Sequence, residues 1–232
     1  MTYSRRRMAR AHDIGGLKGL GPVEIEQAEP VFHSAWEQRI FGITMATLGK
    51  GLYNVEQFRS GIEEIPIVPY MESSYYERWI ATLEANLIRA GIVSEDEIDA
   101  RTVELSRHPG TEVGRREEPE FCEMLLSVIQ AGMSPERDVE APRLFEIGDR
   151  VIAAGTAATG HTRLPRYVRG KQGVVTRLDK AFVYPETNVE DAGENPEWCY
   201  CVRFEADEVW GEDAETGAPV YVDVWESYLE PA

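Results

Sequence analysis

Four cations fall within nine positions of this chain, Arg163, Arg166, Arg169 and Lys171, and His161 stands just before them. Guanidinium groups present a planar fork of donors, so such a cluster can grip a compact oxyanion or a partner chain. The competing reading is neutralisation within the fold, because the segment from Glu186 to Glu215 is strongly acidic. A second group is aromatic. Tyr75, Tyr76 and Trp79 crowd the stretch SSYYERW, with Tyr75 and Trp79 at i and i+4 on one helix face. Upstream, Val55 and Phe58 are at i and i+3, and Arg59 adjoins Phe58. Spacing alone favours core packing, and a wall of aromatics beside an arginine also suits a small, mostly apolar substrate pocket.

Other chemistry is sparse. Cys199 and Cys201 are spaced C-x-C, which in a strand places both side chains on one face. With Cys122 they make an odd set of three, too few for a disulfide framework, and they read as buried thiols in a reducing cytoplasm. The four histidines, His12, His33, His108 and His161, are scattered, and no spacing suggests a metal site. No G-x-S-x-G elbow, H-E-x-x-H pair, P-loop or G-x-G-x-x-G fingerprint is present, and the glycine-rich GGLKGLG at 15–21 follows no strand. By motif alone the chain does not look like a complete enzyme.

The elements that must position these groups differ between the halves. Residues 1–30 read as an extended arm, ending in a stretch rich in Gly, Pro and Glu. Residues 31–132 read as helices. Ser34 with Glu37, Ser74 with Glu77 and Ser94 with Glu97 are S-x-x-E boxes at the heads of apolar-periodic runs, and Asn54 with Gln57 opens a short helix. The first helix carries Trp36, Ile40, Ile43 and Thr47 on one stripe, and the third carries Trp79, Leu83 and Leu87. Pro66 and Pro69 break the chain between helices, and Pro119 opens a last helix with Cys122, Leu125, Leu126 and Ile129 inward. Residues 133–143 read as a linker. From 144 to 232 the pattern is short strands and turns: LFEIGDRVIAA as strand, turn, strand; RGKQGVVTRL with Gly170 and Gly173 as turn glycines; then AFVYP, WCYCVRF and VYVDVWESYL. The class is α+β, with a small, partly open C-terminal barrel or roll.

The whole chain has 232 residues, a net charge of −17 and 43% hydrophobic residues. That balance fits a globular protein and argues against one that wraps nucleic acid or lies on an anionic membrane. No apolar run approaches the roughly 20 residues that span a bilayer, and MTYSRRRMAR lacks the apolar stretch of a secretory signal, so the expected location is cytoplasmic.

Nine blocks in order carry a resemblance to a known family: HDIGG at 12–16, EPVFHSAWE at 29–37, EQFRSGIE at 56–63, YMESSYYERW at 70–79, FEIGDRV at 145–151, GHTRLPRYVRGKQGVV at 160–175, YPET at 184–187, YCVRFEADEVWG at 200–211 and VDVWESYLEP at 222–231. Over nearly its whole length the chain resembles the β subunit of nitrile hydratase. The resemblance implies a heteromer, αβ or α2β2, that hydrates a nitrile to an amide. It implies a metal, cobalt(III) or alternatively iron(III), held by the α subunit in a Cys-x-x-Cys-Ser-Cys run with two cysteines oxidised. Trp79, where iron-type relatives tend to carry Tyr, leans to cobalt. Two β-chain arginines that hold the oxidised cysteine oxygens fall on Arg59 and Arg163, and Val55, Phe58, Tyr75 and Trp79 fall on the substrate pocket. The implied fold is a helical N-terminal part with a β-roll resembling an SH3 barrel. The resemblance begins near Met8, with Arg10 in place of a usual glycine, and MTYSRRR reads as a dispensable extension.

Three rival readings remain open. A thiocyanate-hydrolase-like enzyme shares the architecture, but its subunits resemble the two halves as separate chains. RGKQGVV has the flavour of SH3-like nucleic-acid-binding modules, against which the charge and the helical half speak. A metallochaperone for the α chain would be shorter.

Overall fold

The structure is a computed structural model describing residues 10–23, 25–114, 116–155, 160–215 and 217–232; the extension MTYSRRR lies outside the described residues. The chain divides into two compact units, Ala28–Ser134 and Met1–Gln27 with Pro135–Ala232. No helix among the described residues is long and apolar enough to cross a membrane.

The first unit is helical. Capping boxes open α1 (Ala35–Gly49), α2 (Val55–Glu63) and α4 (Tyr75–Arg89) at Ser34, Asn54 and Ser74. Each works because a short polar side chain satisfies the exposed N–H groups of the first turn while the third residue reaches back. The Glu77 carboxylate takes the Ser74 N–H at 2.7 Å, and that backbone bond chiefly lowers its pKa. Ser94 caps α5 (Glu95–Arg107) by accepting from the Glu97 N–H. Pro119 opens α6 (Pro119–Ala131), which Gly132 ends with φ 75°.

Three expectations fail here. The segment broken by Pro66 and Pro69 contains a short helix, α3 (Ile67–Glu72): Pro66 stands at its N-cap and Pro69 in its first turn, where a missing N–H removes no helix bond. On α1 the buried residues are Glu37 and Thr44, while Ile43 is exposed, so the inward face is rotated from the expected stripe. The buried Glu37 carboxylate accepts from the His33 and Ser34 N–H groups, so a polar side chain is satisfied inside. On α6, Leu125 lies against Gly49 at the end of α1 as expected, but Phe121 joins it there while Cys122, Leu126 and Ile129 are exposed. That helix is apolar round most of its circumference, so periodicity does not select which stripe meets a neighbour.

The second unit is a six-stranded antiparallel sheet. Its path is β5 (Val220–Trp225), β4 (Glu197–Phe204), β3 (Gln172–Phe182), β2 (Arg150–Ala153) and β6 (Leu229–Pro231), with β1 (Glu136–Arg137) paired to β3. Two short helices, α7 (Pro185–Asn188) and α8 (Ala206–Trp210), connect strands. The protein is therefore α+β, but the sheet stays open, with β5 and β6 at its two ends. Alternation along β4 puts Tyr200, Val202 and Phe204 into the core with Val151, Val168 and Val175, and turns Cys199 and Cys201 to the other face, where both are also buried.

The stretch read as a linker contributes β1, paired by Glu136 and Arg137 to Phe182 and Ala181. LFEI is not a strand; Phe145 is buried edge-on to Tyr200, ring centroids 5.6 Å apart, ahead of the turn at Gly148. Gly170 is a turn glycine, with φ 71°. Gly173 is instead a β3 residue pressed against β4: a Cβ there would stand 2.6 Å from Val202 Cγ1 and 2.9 Å from the Arg203 carbonyl.

Candidate functional site

The expected pocket residues lie on α2 and α4, and these helices are locked by polar bonds rather than by apolar packing alone. Thr82 Oγ1 donates to the Phe58 carbonyl at 2.7 Å. Asn86 Nδ2 donates to the Gln57 carbonyl at 3.3 Å and to the Thr82 carbonyl at 2.9 Å. Both side chains are fully buried, so each bond replaces water that cannot reach the site. The approach is close because residue 61 is glycine; a Cβ there would collide with the Thr82 side chain.

This lock sets the aromatics. The Phe58 ring meets Trp79 edge-on at 4.9 Å, and Trp79 is 5.6 Å from Tyr75 and 5.4 Å from Tyr76. Phe58 is 8% exposed and packs with Tyr53 and Leu83, with Trp79 half-buried against them. Tyr75 is 63% exposed and Val55 44%. Phe58, Trp79 and Tyr75 thus grade from core to surface on one aromatic ridge, and Val55 is exposed one turn before Phe58 on α2. Arg59 follows Phe58 on α2 but is exposed, and its Nη1 lies 2.6 Å from Oε1 of the buried Glu56.

Arg163 belongs to the sheet unit and is exposed between buried neighbours, His161 and Leu164. Its backbone N–H donates to Tyr228 Oη at 3.4 Å, and Thr162 Oγ1 donates to the same oxygen at 3.2 Å. Burial pushes the Tyr228 hydroxyl well above its ordinary pKa, so it stays protonated at neutral pH. The cation cluster divides. Arg169 turns inward: Nε and Nη2 donate to the Leu164 carbonyl, and Nη2 to Asp13 Oδ2 at 3.0 Å. Its neutralising acid comes from the N-terminal arm rather than from the acidic tail.

Spacing does not point to Glu56, Thr82, Asn86, Gly61, Asp13 or Tyr228. Their own signals are weak: polar residues on otherwise apolar helix faces, a glycine inside a helix, and an aspartate in the HDIGG block. Burial first, then the nearby Asp179, Asp223 and Glu197, pushes Cys199 up to about 12, and burial also raises Cys201, so neither supplies a thiolate at neutral pH.

Comparison with known proteins identifies both halves. Residues 8–122 match the family model for the nitrile hydratase beta subunit, N-terminal, and residues 134–231 the one for its C-terminal part. The chain is 41% identical over 222 residues to the low-molecular weight cobalt-containing nitrile hydratase subunit beta of Rhodococcus rhodochrous, covering 95% of this chain and 98% of the relative. It is 37% identical over 224 residues to the cobalt-containing nitrile hydratase subunit beta of Pseudonocardia thermophila, covering 96% of each. Thiocyanate hydrolase subunit alpha of Thiobacillus thioparus is 34% identical over 94 residues, 38% of this chain and 71% of the relative. With both family models matched in order and relatives aligned nearly end to end, the chain belongs to the nitrile hydratase β-subunit family.

Proposed function

We propose that this chain pairs with an α subunit, as αβ or α2β2, to hydrate nitriles to amides as a cytoplasmic enzyme, a hydro-lyase whose metal is held by α. The observation that supports this most is the match to a nitrile hydratase β subunit at 41% identity over 95% of this chain and 98% of the relative. Cobalt(III) is the metal proposed, because the two nitrile hydratase relatives described above are named cobalt-containing. The buried thiols of Cys199 and Cys201, both with raised pKa, suit a chain that leaves the metal to its partner. A trivalent metal bound on α supplies Lewis acidity to the nitrile or to water.

The chain's own part is positioning. Arg59 and Arg163, both exposed at fixed backbone positions, offer charge-assisted donors to the oxidised cysteine oxygens of α, setting ligand charge and orientation. Val55 and the aromatic ridge of Phe58, Trp79 and Tyr75 line the substrate pocket, with the Tyr75 hydroxyl as a polar group at its open end. The open sheet of the C-terminal unit is, on this reading, a splayed form of the SH3-like roll.

Co-expression with an α chain carrying the Cys-x-x-Cys-Ser-Cys run, then assay of amide from a nitrile and of product from thiocyanate, tests the proposal. Amide formation by a complex with stoichiometric cobalt is the expected result. Turnover of thiocyanate but not of nitriles would replace it with the rival hydrolase reading, which the partial match to a thiocyanate hydrolase subunit keeps in view.

A further inference from the structure

The Asp13 carboxylate bridges two groups of the segment that carries Arg163. Oδ1 accepts the Arg166 backbone N–H at 3.0 Å, and Oδ2 pairs with Arg169 Nη2 at 3.0 Å. Arg169 in turn chelates the Leu164 carbonyl, through Nε at 3.1 Å and Nη2 at 2.7 Å. That carbonyl belongs to the residue immediately after Arg163. Asp13 and Arg169 therefore brace the turn at its middle and its far end, while Tyr228 holds it at Thr162 and Arg163.

This is a built contact rather than a chance surface pair. The Arg169 and Asp13 side chains are only 15% and 13% exposed. The arm that delivers Asp13 is seated closely. Ala11 is buried, a Cβ on Gly15 would stand 2.7 Å from the Tyr167 ring, and Gly16, with φ 76°, lies against Trp210. Removing one member of such a pair leaves an uncompensated, poorly solvated charge, so its geometry is strongly held. Arg169 spends its donors inside the segment, whereas Arg163, six positions earlier, is exposed.

We propose that Asp13 and Arg169 are positioning residues for Arg163: together they fix the turn from which it projects, and so make its aim depend on the docked arm. The inference rests on the role proposed for Arg163 and adds to it two residues that act through it.

The test uses the αβ holoenzyme with Asp13→Asn, Arg169→Lys, Arg163→Lys and the Asp13→Asn/Arg163→Lys double variant. Asp13→Asn keeps the shape and an acceptor for the Arg166 N–H; Arg169→Lys keeps the charge but cannot chelate the carbonyl in the same way. Each is expected to lower kcat about tenfold, equal to about 1.4 kcal/mol, with KM for the nitrile little changed. Amide hydrogen exchange in residues 161–169 of the assembled complex is expected to quicken. In the Arg163→Lys background, Asp13→Asn is expected to lower kcat by less than about twofold more, because the group it positions is already lost. A purely structural pair would instead lower the melting temperature and add its effect independently of residue 163. Independent effects in the double variant, or parental kcat and exchange in both single variants, overturn the inference while a damaging Arg163→Lys leaves the arginine reading intact. A silent Arg163→Lys overturns that reading and the inference together.

Discussion

Glu56 and Arg59 stand one turn apart on α2, with Oε1 of the one 2.6 Å from Nη1 of the other. The carboxylate is 8% exposed and the guanidinium side chain 45%, so the pair joins an inner anchor to an outer cation. A planar guanidinium can be held at one nitrogen while others serve a partner; a lysine ammonium gathers its donors on one nitrogen and cannot reproduce those separated, fixed positions. Arg59→Lys is expected to lower nitrile turnover by more than about tenfold, which is about 1.4 kcal/mol of barrier, in a complex of normal assembly and metal content. Parental turnover in that complex, measured at saturating nitrile, would reduce Arg59 to an ordinary surface cation of little energetic weight.

The aromatic ridge separates stability from selectivity by depth. Phe58 is buried in the helical core, so Phe58→Ala is expected to destabilise by about 3–5 kcal/mol. Tyr75 is 63% exposed in this chain, so Tyr75→Ala is expected to leave the melt of the isolated chain nearly unchanged. In the complex, the same variant is expected to shift discrimination between small and bulky nitriles by about 1–3 kcal/mol. Calorimetry beside competitive kinetics checks both; unchanged discrimination would take Tyr75 out of the pocket.

Gly61→Ala reverses an ordinary rule. Glycine to alanine inside a helix usually stabilises by roughly 0.5–1 kcal/mol. Here the added methyl would strike Thr82 and force α2 from α4, disturbing the Thr82 bond to the Phe58 carbonyl. The expected sign is destabilisation, by about 1–3 kcal/mol. A raised denaturation midpoint would mean that the two helices are not locked as described.

Alkaline pH should expose the buried thiols. The folded Cys199 pKa is pushed up to about 12, above its unfolded value, so the stability associated with the neutral thiol is fully present below the unfolded pKa. It falls as pH rises between the two values, by up to about 1.4 kcal/mol per pH unit for one group. Melting between about pH 8 and 9.5, below the ordinary tyrosine range, is expected to slope downward and to flatten in the Cys199→Ala/Cys201→Ala variant. The same variant in the complex is expected to keep its full metal content by elemental analysis. Loss of metal would show that this chain contributes ligands after all.

What the sequence determined was local. The boxes at Ser34 and Ser74 read correctly because a cap and its third residue meet within one turn, whatever the rest of the chain does. The alternation of WCYCVRF placed the cysteines opposite the Tyr200 and Val202 face for the same reason: a strand's period is intrinsic to its backbone. Family membership was legible in ordered blocks, which carry identity without geometry. Tertiary structure decided what depends on a partner distant in the chain. It put Phe121 beside Leu125 on the packed face of α6 and left Cys122, Leu126 and Ile129 outside, because a helix apolar on several sides is sorted only by what it meets. It drew β1 out of an apparent linker by pairing it with the far end of β3, and it left the sheet open. It joined Asp13 to Arg169 across 156 positions, separating one arginine held inside from another left exposed at residue 163. Charge pattern reports how many cations a segment holds; only the folded path of the backbone determines which of them meet an acid out of water.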